Sequence, residues 1–235
     1  MLGAKEASTV SDSPAHRQWW QPRRAFSLAE IVADGIVHGV GIAFALALGT
    51  VLIVFSAIGT APGELPAIIV YVVTLVLVLG ISLAFNLAPV SGFRRLMARL
   101  DQAAIFLFIA GSYTPFLALL AETPVAQPMT ILVWGAALIG ISLKLIVPQR
   151  FGRLAILLYL GIGWSGVLVF QSLAAALPAV SLWLLVAGGV SYSAGIVFHL
   201  WERLKFQNAL WHVFVVAGSG CHLWAIFHTM VLTRL

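Results

Sequence analysis

The chain has 235 residues, of which 61% are hydrophobic and only 9% are charged, well below the roughly 25% of charged residues in a soluble domain. This composition excludes a water-soluble globular protein and predicts an integral membrane protein whose main partner is the lipid bilayer. The formal net charge is +5, but the cations are spread over separate short loops. Because they form no basic stripe, nucleic acid is not an expected partner.

Residues 1–27 are polar and carry charges of both signs, with no apolar run near the start that resembles a signal peptide. Trp19 and Trp20 stand beside Arg23 and Arg24, a combination that suits the headgroup layer of a membrane. The sequence therefore predicts a polar cytoplasmic arm over residues 1–27 and one membrane domain over residues 28–235.

Seven apolar runs are each long enough to cross the hydrocarbon core of a bilayer, which takes roughly 20 helical residues. They cover residues 31–58, 66–88, 102–121, 129–147, 154–175, 180–200 and 209–232. The fifth and sixth runs are divided only at Leu177 and Pro178, because together they are too long for one helix across a bilayer. The predicted fold is an all-α, seven-transmembrane helix bundle.

The loop cations alternate from one gap between spans to the next. Cations precede span one and lie between spans two and three, four and five, and six and seven: Lys5, Arg17, Arg23, Arg24, Arg94, Arg95, Arg99, Arg150, Arg153, Arg203 and Lys205. The other gaps contain Glu64 and Glu122 but neither Lys nor Arg. The positive-inside rule then predicts a cytoplasmic N-terminus and an external C-terminus. Lys144 is expected to extend its side chain toward the cytoplasmic end of span four.

Polar residues collect at the cytoplasmic ends of several spans. They are Glu30, Asp34 and His38 of span one, Ser82 and Asn86 of span two, Asp101 of span three, His199 of span six, and Asn208 and His212 of span seven. Spacings of four residues place the members of a set on one helix face. Ionisable groups inside a membrane are costly and usually face inward partners, so the pattern predicts a shared polar site near one membrane face.

Some of these residues also have a purely structural interpretation. Asp101 and Asn208 could cap the spans that they open. Glu30 could pair with Arg23 or Arg24 at the membrane interface. Asp34 and His38 lie deeper within span one, where a structural explanation is harder to give.

Three segments resemble signatures of the hemolysin III family and its progestin and adipoQ receptor relatives. Residues 30–39 (EIVADGIVHG) are similar to the first signature, with Asp34 where Asn is usual. Residues 100–116 (LDQAAIF, then IAGSYTPF) resemble the third-span signature, and residues 208–222 (NALWHVFV through Gly218 to His222) resemble the last. The resemblance implies seven helices with the N-terminus inside, the bacterial inner membrane as location, and a role in membrane-lipid homeostasis or sensing with a lipid as possible ligand.

The resemblance also implies a zinc site near the cytoplasmic face. Relatives build it from one His in span two and an H-x-x-x-H pair at the start of span seven, with a Ser and an Asp nearby. The matching positions are Ser82, Asp101 and His212, whereas Asn86 and Asn208 hold the other two ligand positions. A carboxamide is a poor ligand for zinc, so a degenerate zinc site is expected.

Enzymatic activity is left open by these residues. A retained metal would have to recruit other side chains: His199, Asp34 or His38. In a metal-bearing relative, Asp101 would position or deprotonate a zinc-polarised water. Serine nucleophilic catalysis is disfavoured at this stage, because the only obvious neighbour of Ser82 is Asn86, which is not a base.

Two alternative functions remain beside lipid homeostasis. The family is linked to membrane hydrolases that act on lipid amides, and its name records cytolytic activity, which would require a pore or channel. A pore needs a continuous polar lining, and spans four to six offer few polar side chains. The sequence therefore favours a closed helix bundle over an aqueous conduit.

Overall fold

The computed structural model describes residues 24–59, 61, 63–148 and 152–234. Most of the predicted arm over residues 1–27 lies outside the described residues. The helices are α1 (Leu28–Gly59), α2 (Glu64–Leu87), α3 (Gly92–Leu119), α4 (Ala126–Ile146), α5 (Gly152–Gly163), α6 (Phe170–Ala176), α7 (Ala179–Leu200) and α8 (Gln207–Phe227). A 3-10 turn joins α5 to α6, and a π-helical turn extends α8 to Leu232. The described residues contain no β-strand.

Seven helical segments are long and apolar enough to cross a membrane, which confirms the predicted fold class. The fifth segment is composite and runs through α5, the 3-10 turn and α6, from Leu154 to Ala176. It ends where predicted, because Leu177 is extended and Pro178 precedes the first residue of α7. The direction in which the termini face stays a prediction.

Two predicted helix caps are wrong. Helix α3 begins at Gly92, and its N-cap is Ser91, whose hydroxyl accepts a hydrogen bond from the Arg94 backbone N–H at 3.3 Å. Asp101 therefore lies in the third turn of α3, because the basic residues before the apolar run continue the helix outside the hydrocarbon. Helix α8 is preceded by Phe206 in a left-handed conformation, without a side-chain cap, so Asn208 does not cap it either.

The helices pack in a chain of neighbours, with α2 against α1 and α3, α3 against α4, and α8 against α1 and α7. Tyr71 is fully buried in the main core, and its hydroxyl donates a hydrogen bond to the Ser219 carbonyl of α8 at 3.1 Å. Glycine permits the closest approaches. A Cβ added to Gly140 would lie 2.5 Å from the Phe106 ring, and one added to Gly41 would lie 2.7 Å from Val216.

The fifth and sixth spans are the least buried of the seven. In each of them 17% is buried inside the protein, compared with 50% of the span formed by α3, and α6 buries none of its residues. This loose packing leaves a large interior cavity whose walls come from α2, α3, α5, α7 and α8. The predicted polar site lies at one end of this cavity.

Candidate functional site

Helix α1 brings two ionisable side chains into the bundle, one helical turn apart. Asp34 is 3% exposed and His38 is fully buried. His38 donates its Nδ1 hydrogen to the backbone carbonyl of Asp34 at 2.9 Å, and the same nitrogen lies 3.7 Å from Asp34 Oδ2. The other ring nitrogen, His38 Nε2, is buried without a hydrogen-bond partner among the described residues.

His212 of α8 joins α1 to α2 through its two ring nitrogens. Its Nδ1 lies 2.6 Å from Asp34 Oδ1, and its Nε2 lies 3.2 Å from the Ser82 hydroxyl. A carboxylate only accepts hydrogen bonds, so Asp34 keeps the neutral imidazole protonated at Nδ1. His212 Nε2 is then left as an acceptor for the Ser82 hydroxyl.

The zinc site implied by the resemblance does not fit the side chains at its positions. The Asn86 amide donates to the Ser82 carbonyl at 3.0 Å, and the Asn208 amide lies 3.4 Å from Asn86 Oδ1. Two carboxamides that bond to the protein and to each other stand where zinc would need imidazole nitrogens. Only His212 offers a suitable nitrogen at these three positions.

A different trio is the one group among the described residues that could hold a metal ion. Asp34, His38 and His212 are all buried, and one ligand atom of each lies within 4.8 Å of the others. The His38 and His212 rings are 4.1 Å apart between centroids. Two ligands of a tetrahedral zinc are about 3.3 Å apart, given bonds of about 2.0 Å. The 2.6 Å contact between Asp34 and His212 is therefore a hydrogen bond.

Asp101 also belongs to the site, from the third turn of α3. Its carboxyl forms a hydrogen bond with the Ser82 hydroxyl. Ser82 is thus flanked by His212 on one side and by Asp101 on the other. The structure brings these three predicted site residues together with Asp34, although they come from four different helices.

Glu30 has other partners, and His199 lines the same cavity as Ser82, Asp101 and His212. The Glu30 carboxylate pairs with Arg24 at 2.5 Å and accepts hydrogen bonds from the Ser27 and Phe206 backbone N–H groups. The predicted pairing with Arg24 is therefore confirmed, and the hydrogen bond to Glu30 raises the pKa of Arg24. The His199 ring packs 5.1 Å from the ring of Trp211.

The cavity beside the site has a volume of about 1030 Å³. Its polar end is formed by Ser82, Asn86, Asp101, Asn208 and His212, and aromatic and aliphatic side chains supply much of the remaining wall. Asp34 is not among the lining residues, so it lies behind His212 as seen from the cavity. The cavity is large enough for an organic ligand.

Two cations at this cavity were not recognised as site residues from the sequence. Arg94 is 8% exposed and donates to the Phe85 and Ala88 carbonyls, and Lys144 is 2% exposed. Both line the cavity, and the extension of Lys144 toward the cytoplasmic end of span four stays a prediction. The available signal for Arg94 was its position seven residues before Asp101, which places both on one face of α3.

Comparisons with known proteins agree on one family. A family described as "Haemolysin-III related" matches residues 26–223. Hemolysin-3 of Bacillus cereus is 31% identical over 204 residues, which cover 87% of this chain and 93% of that protein. Hemolysin-3 homolog of Bacillus subtilis (strain 168) is 29% identical over 86% of this chain and 94% of that protein. The human monocyte to macrophage differentiation factor is 31% identical over 54% of this chain and 52% of its own length. No solved structure matches the chain.

Proposed function

This chain belongs to the hemolysin III family, and we propose that it binds a membrane lipid inside its helix bundle and serves membrane-lipid homeostasis or sensing. The membership predicted from three sequence segments is confirmed by relatives that match along most of their length. Both of these relatives are bacterial, which supports the inner membrane as the proposed location.

The interior cavity is the observation that carries this proposal. Its volume of about 1030 Å³ is just above the range for ligand pockets, about 300–1,000 Å³. Polar groups converge at one end, whereas Leu79, Phe108, Leu182 and other apolar side chains line much of the rest. A ligand that matches this distribution has one polar end and a long apolar part, as a lipid does.

The charges around the cavity indicate which polar end fits. Arg94 lines the cavity, and its Nε is buried without a hydrogen-bond partner among the described residues. Buried cations need anionic or strongly polar partners, and arginine favours carboxylate and phosphate oxygens. We therefore propose a lipid whose polar end carries negative charge or carbonyl oxygens.

The proposal is tested by measuring the lipid that stays bound after purification in mild detergent. Ile109 lines the cavity, and Leu107, two residues earlier on α3, does not. We expect Ile109→Trp to fill part of the cavity and reduce co-purifying lipid, seen by native mass spectrometry and lipid extraction, by more than half. Leu107→Trp is the matched control and should retain wild-type occupancy. Equal lipid content in both variants, or wild-type protein that carries no lipid, would rule out the cavity as the binding site.

A further inference from the structure

We infer that Asp34, His212 and Ser82 form a metal-independent relay in which Ser82 attacks the acyl carbonyl of a lipid ester or amide. This inference rests on the proposed function, since it requires an acyl lipid in the cavity. It reverses the expectation from sequence that Ser82 has no base beside it. The base is 130 residues away in the chain and 3.2 Å away in the structure.

The geometry of the three side chains meets the requirements of an activated serine. A base must lie within about 2.6–3.2 Å of the nucleophile and be oriented by a third group. His212 Nε2 lies 3.2 Å from Ser82 Oγ, and Asp34 Oδ1 lies 2.6 Å from His212 Nδ1. Asp34 fixes the tautomer in which Nε2 can accept the serine proton.

The relay is exposed to the cavity only at its reactive end. Ser82 and His212 line the cavity, and Asp34 does not. Asp34 is 3% exposed and lines a separate, smaller cavity of about 270 Å³. An acyl carbonyl in the polar end of the cavity is therefore adjacent to Ser82 Oγ, whereas the positioning carboxylate is shielded from it.

Hydrogen-bond donors for the developing oxyanion are available at the same end. The amide groups of Asn86 and Asn208 line the cavity, and each uses one N–H in the contacts described above. A carboxamide NH₂ group carries two hydrogens, so each retains one. Donors aimed at the developing negative charge usually supply the largest share of such catalysis.

The proposed reaction is an acyl transfer followed by hydrolysis. Ser82 Oγ forms a bond to the acyl carbon while its proton moves to His212 Nε2. The tetrahedral intermediate collapses by breaking the acyl C–O or C–N bond, and the leaving alcohol or amine takes the proton from Nε2. Water then attacks the acyl-serine with His212 as base, releasing a carboxylic acid and restoring the Ser82 hydroxyl. No oxidant, reductant or metal enters this balance.

A second serine–histidine pair in the chain provides an internal comparison. Ser181 Oγ lies 3.0 Å from His228 Nδ1, and Thr229 donates a hydrogen bond to the same hydroxyl at 2.8 Å. No ion pair to His228 occurs among the described residues, and neither Ser181 nor His228 lines the large cavity. Without an orienting carboxylate or access for a substrate, this pair should be unreactive.

The test is covalent labelling of the full chain, purified in mild detergent, with an alkyl fluorophosphonate that traps activated serines. Tryptic mass spectrometry should locate the label on Ser82, with no label on Ser181. Labelling should disappear in Ser82→Ala and fall more than about 100-fold in His212→Ala. Ser142 is exposed on α4, so Ser142→Ala is the matched control and should be labelled like the wild type.

The role of Asp34 is tested by a pair of variants. Asp34→Asn keeps the size of the side chain, but its amide can donate as well as accept a hydrogen bond, so it no longer fixes the tautomer of His212. Labelling should therefore fall more than about 100-fold. Asp34→Glu retains a carboxylate and should recover labelling at least tenfold relative to Asp34→Asn. If both variants are labelled like the wild type, Asp34 does not position the base and the relay is wrong.

Metal dependence and lipid binding are separated in the same experiment. Labelling should be unchanged after treatment with a zinc chelator, and loss of labelling on chelation would overturn the inference in favour of a metal on Asp34, His38 and His212. Lipid content is measured on every variant. An unlabelled wild type that still carries lipid would refute the relay but not the proposed function.

Discussion

His212 forms hydrogen bonds through both ring nitrogens, and the residue at position 34 determines which of the two nitrogens carries the hydrogen. The Asp34 carboxylate accepts a hydrogen bond from Nδ1 at 2.6 Å and has no hydrogen to offer in return. An asparagine in its place could present either an oxygen or an NH₂ group, so it would leave the imidazole tautomer undetermined. In the neutral imidazole, the Asp34 carboxylate therefore makes Nε2 the acceptor beside Ser82.

Residues 86 and 208 differ from the zinc-binding histidines that the family resemblance implies at these positions. Both are asparagines, and their amides bond to the protein backbone and to each other. Their atoms lie where imidazole nitrogens would have to bind zinc together with His212. The same histidine is consequently available for hydrogen bonding to Ser82 instead of metal coordination.

We expect purified wild-type protein to contain no stoichiometric zinc, and the double variant Asn86→His with Asn208→His to gain it. Three neutral imidazoles form a tight zinc site that leaves one position for water, whereas amide oxygens do not. Inductively coupled plasma mass spectrometry on protein prepared without chelators measures the difference. The zinc gained should be lost again when His212→Ala is added. Near-stoichiometric zinc in the wild type, lost in His212→Ala, would mean that the degenerate-site prediction is wrong.

At the scale of the helices, ion pairs connect helix ends to neighbouring segments of the chain. Glu30, near the start of α1, holds Arg24 and the Phe206 backbone N–H, and Arg24 in turn donates to the Leu204 carbonyl at 2.8 Å. These contacts join the start of α1 to the loop between α7 and α8. Glu64, the first residue of α2, similarly pairs with Arg234 beyond α8. Both Asp34 and His212 lie within one or two helical turns of the contacts that Glu30 makes.

We expect Glu30→Gln to lower the midpoint of thermal unfolding in detergent by about 2–12 °C. Loss of the carboxylate leaves Arg24 and the backbone donors with weaker partners, a cost of about 1–3 kcal/mol, and each kcal/mol corresponds to about 2–4 °C in a chain of this size. Arg203 is an exposed cation in the same loop, so Arg203→Ala is the control and should leave the midpoint unchanged. A midpoint within 1 °C of wild type for Glu30→Gln would show that the contacts of the Glu30 carboxylate do not stabilise the protein.

Element positions were largely predictable from sequence, and contacts between elements were not. Apolar length located all seven spans, and spacings of four residues placed Ser82 and His212 at the same depth. The start of α3 was missed by ten residues, because its first turns are basic and resemble a loop. The hydrogen bond between Ser82 and His212 was missed as well. The spacing of residues in the sequence shows which side chains share one face of a helix. It does not show which faces of α2 and α8 pack against each other.

At the scale of the whole molecule, the uneven packing of the bundle explains where the cavity forms. Helices α1, α2, α3, α7 and α8 share a continuous core around Tyr71 and Leu223, whereas the composite fifth span contributes little to it. A 3-10 turn at Ser165–Val169 interrupts the fifth span between α5 and α6. A bundle that is rigid around the relay and loose at the fifth span has room for a flexible apolar ligand beside fixed polar groups.

We expect liposomes containing the protein at physiological density to show no leak of a small trapped dye beyond that of protein-free liposomes. A conducting pore needs polar groups along its whole length, and in the described residues the charged and amide groups of the cavity gather at one end, with His222 and Tyr192 farther in. Ile109→Trp, which narrows the cavity, is the matched comparison. Dye release by the wild type that Ile109→Trp suppresses would identify the cavity as a conduit, and it would replace lipid binding with the pore alternative.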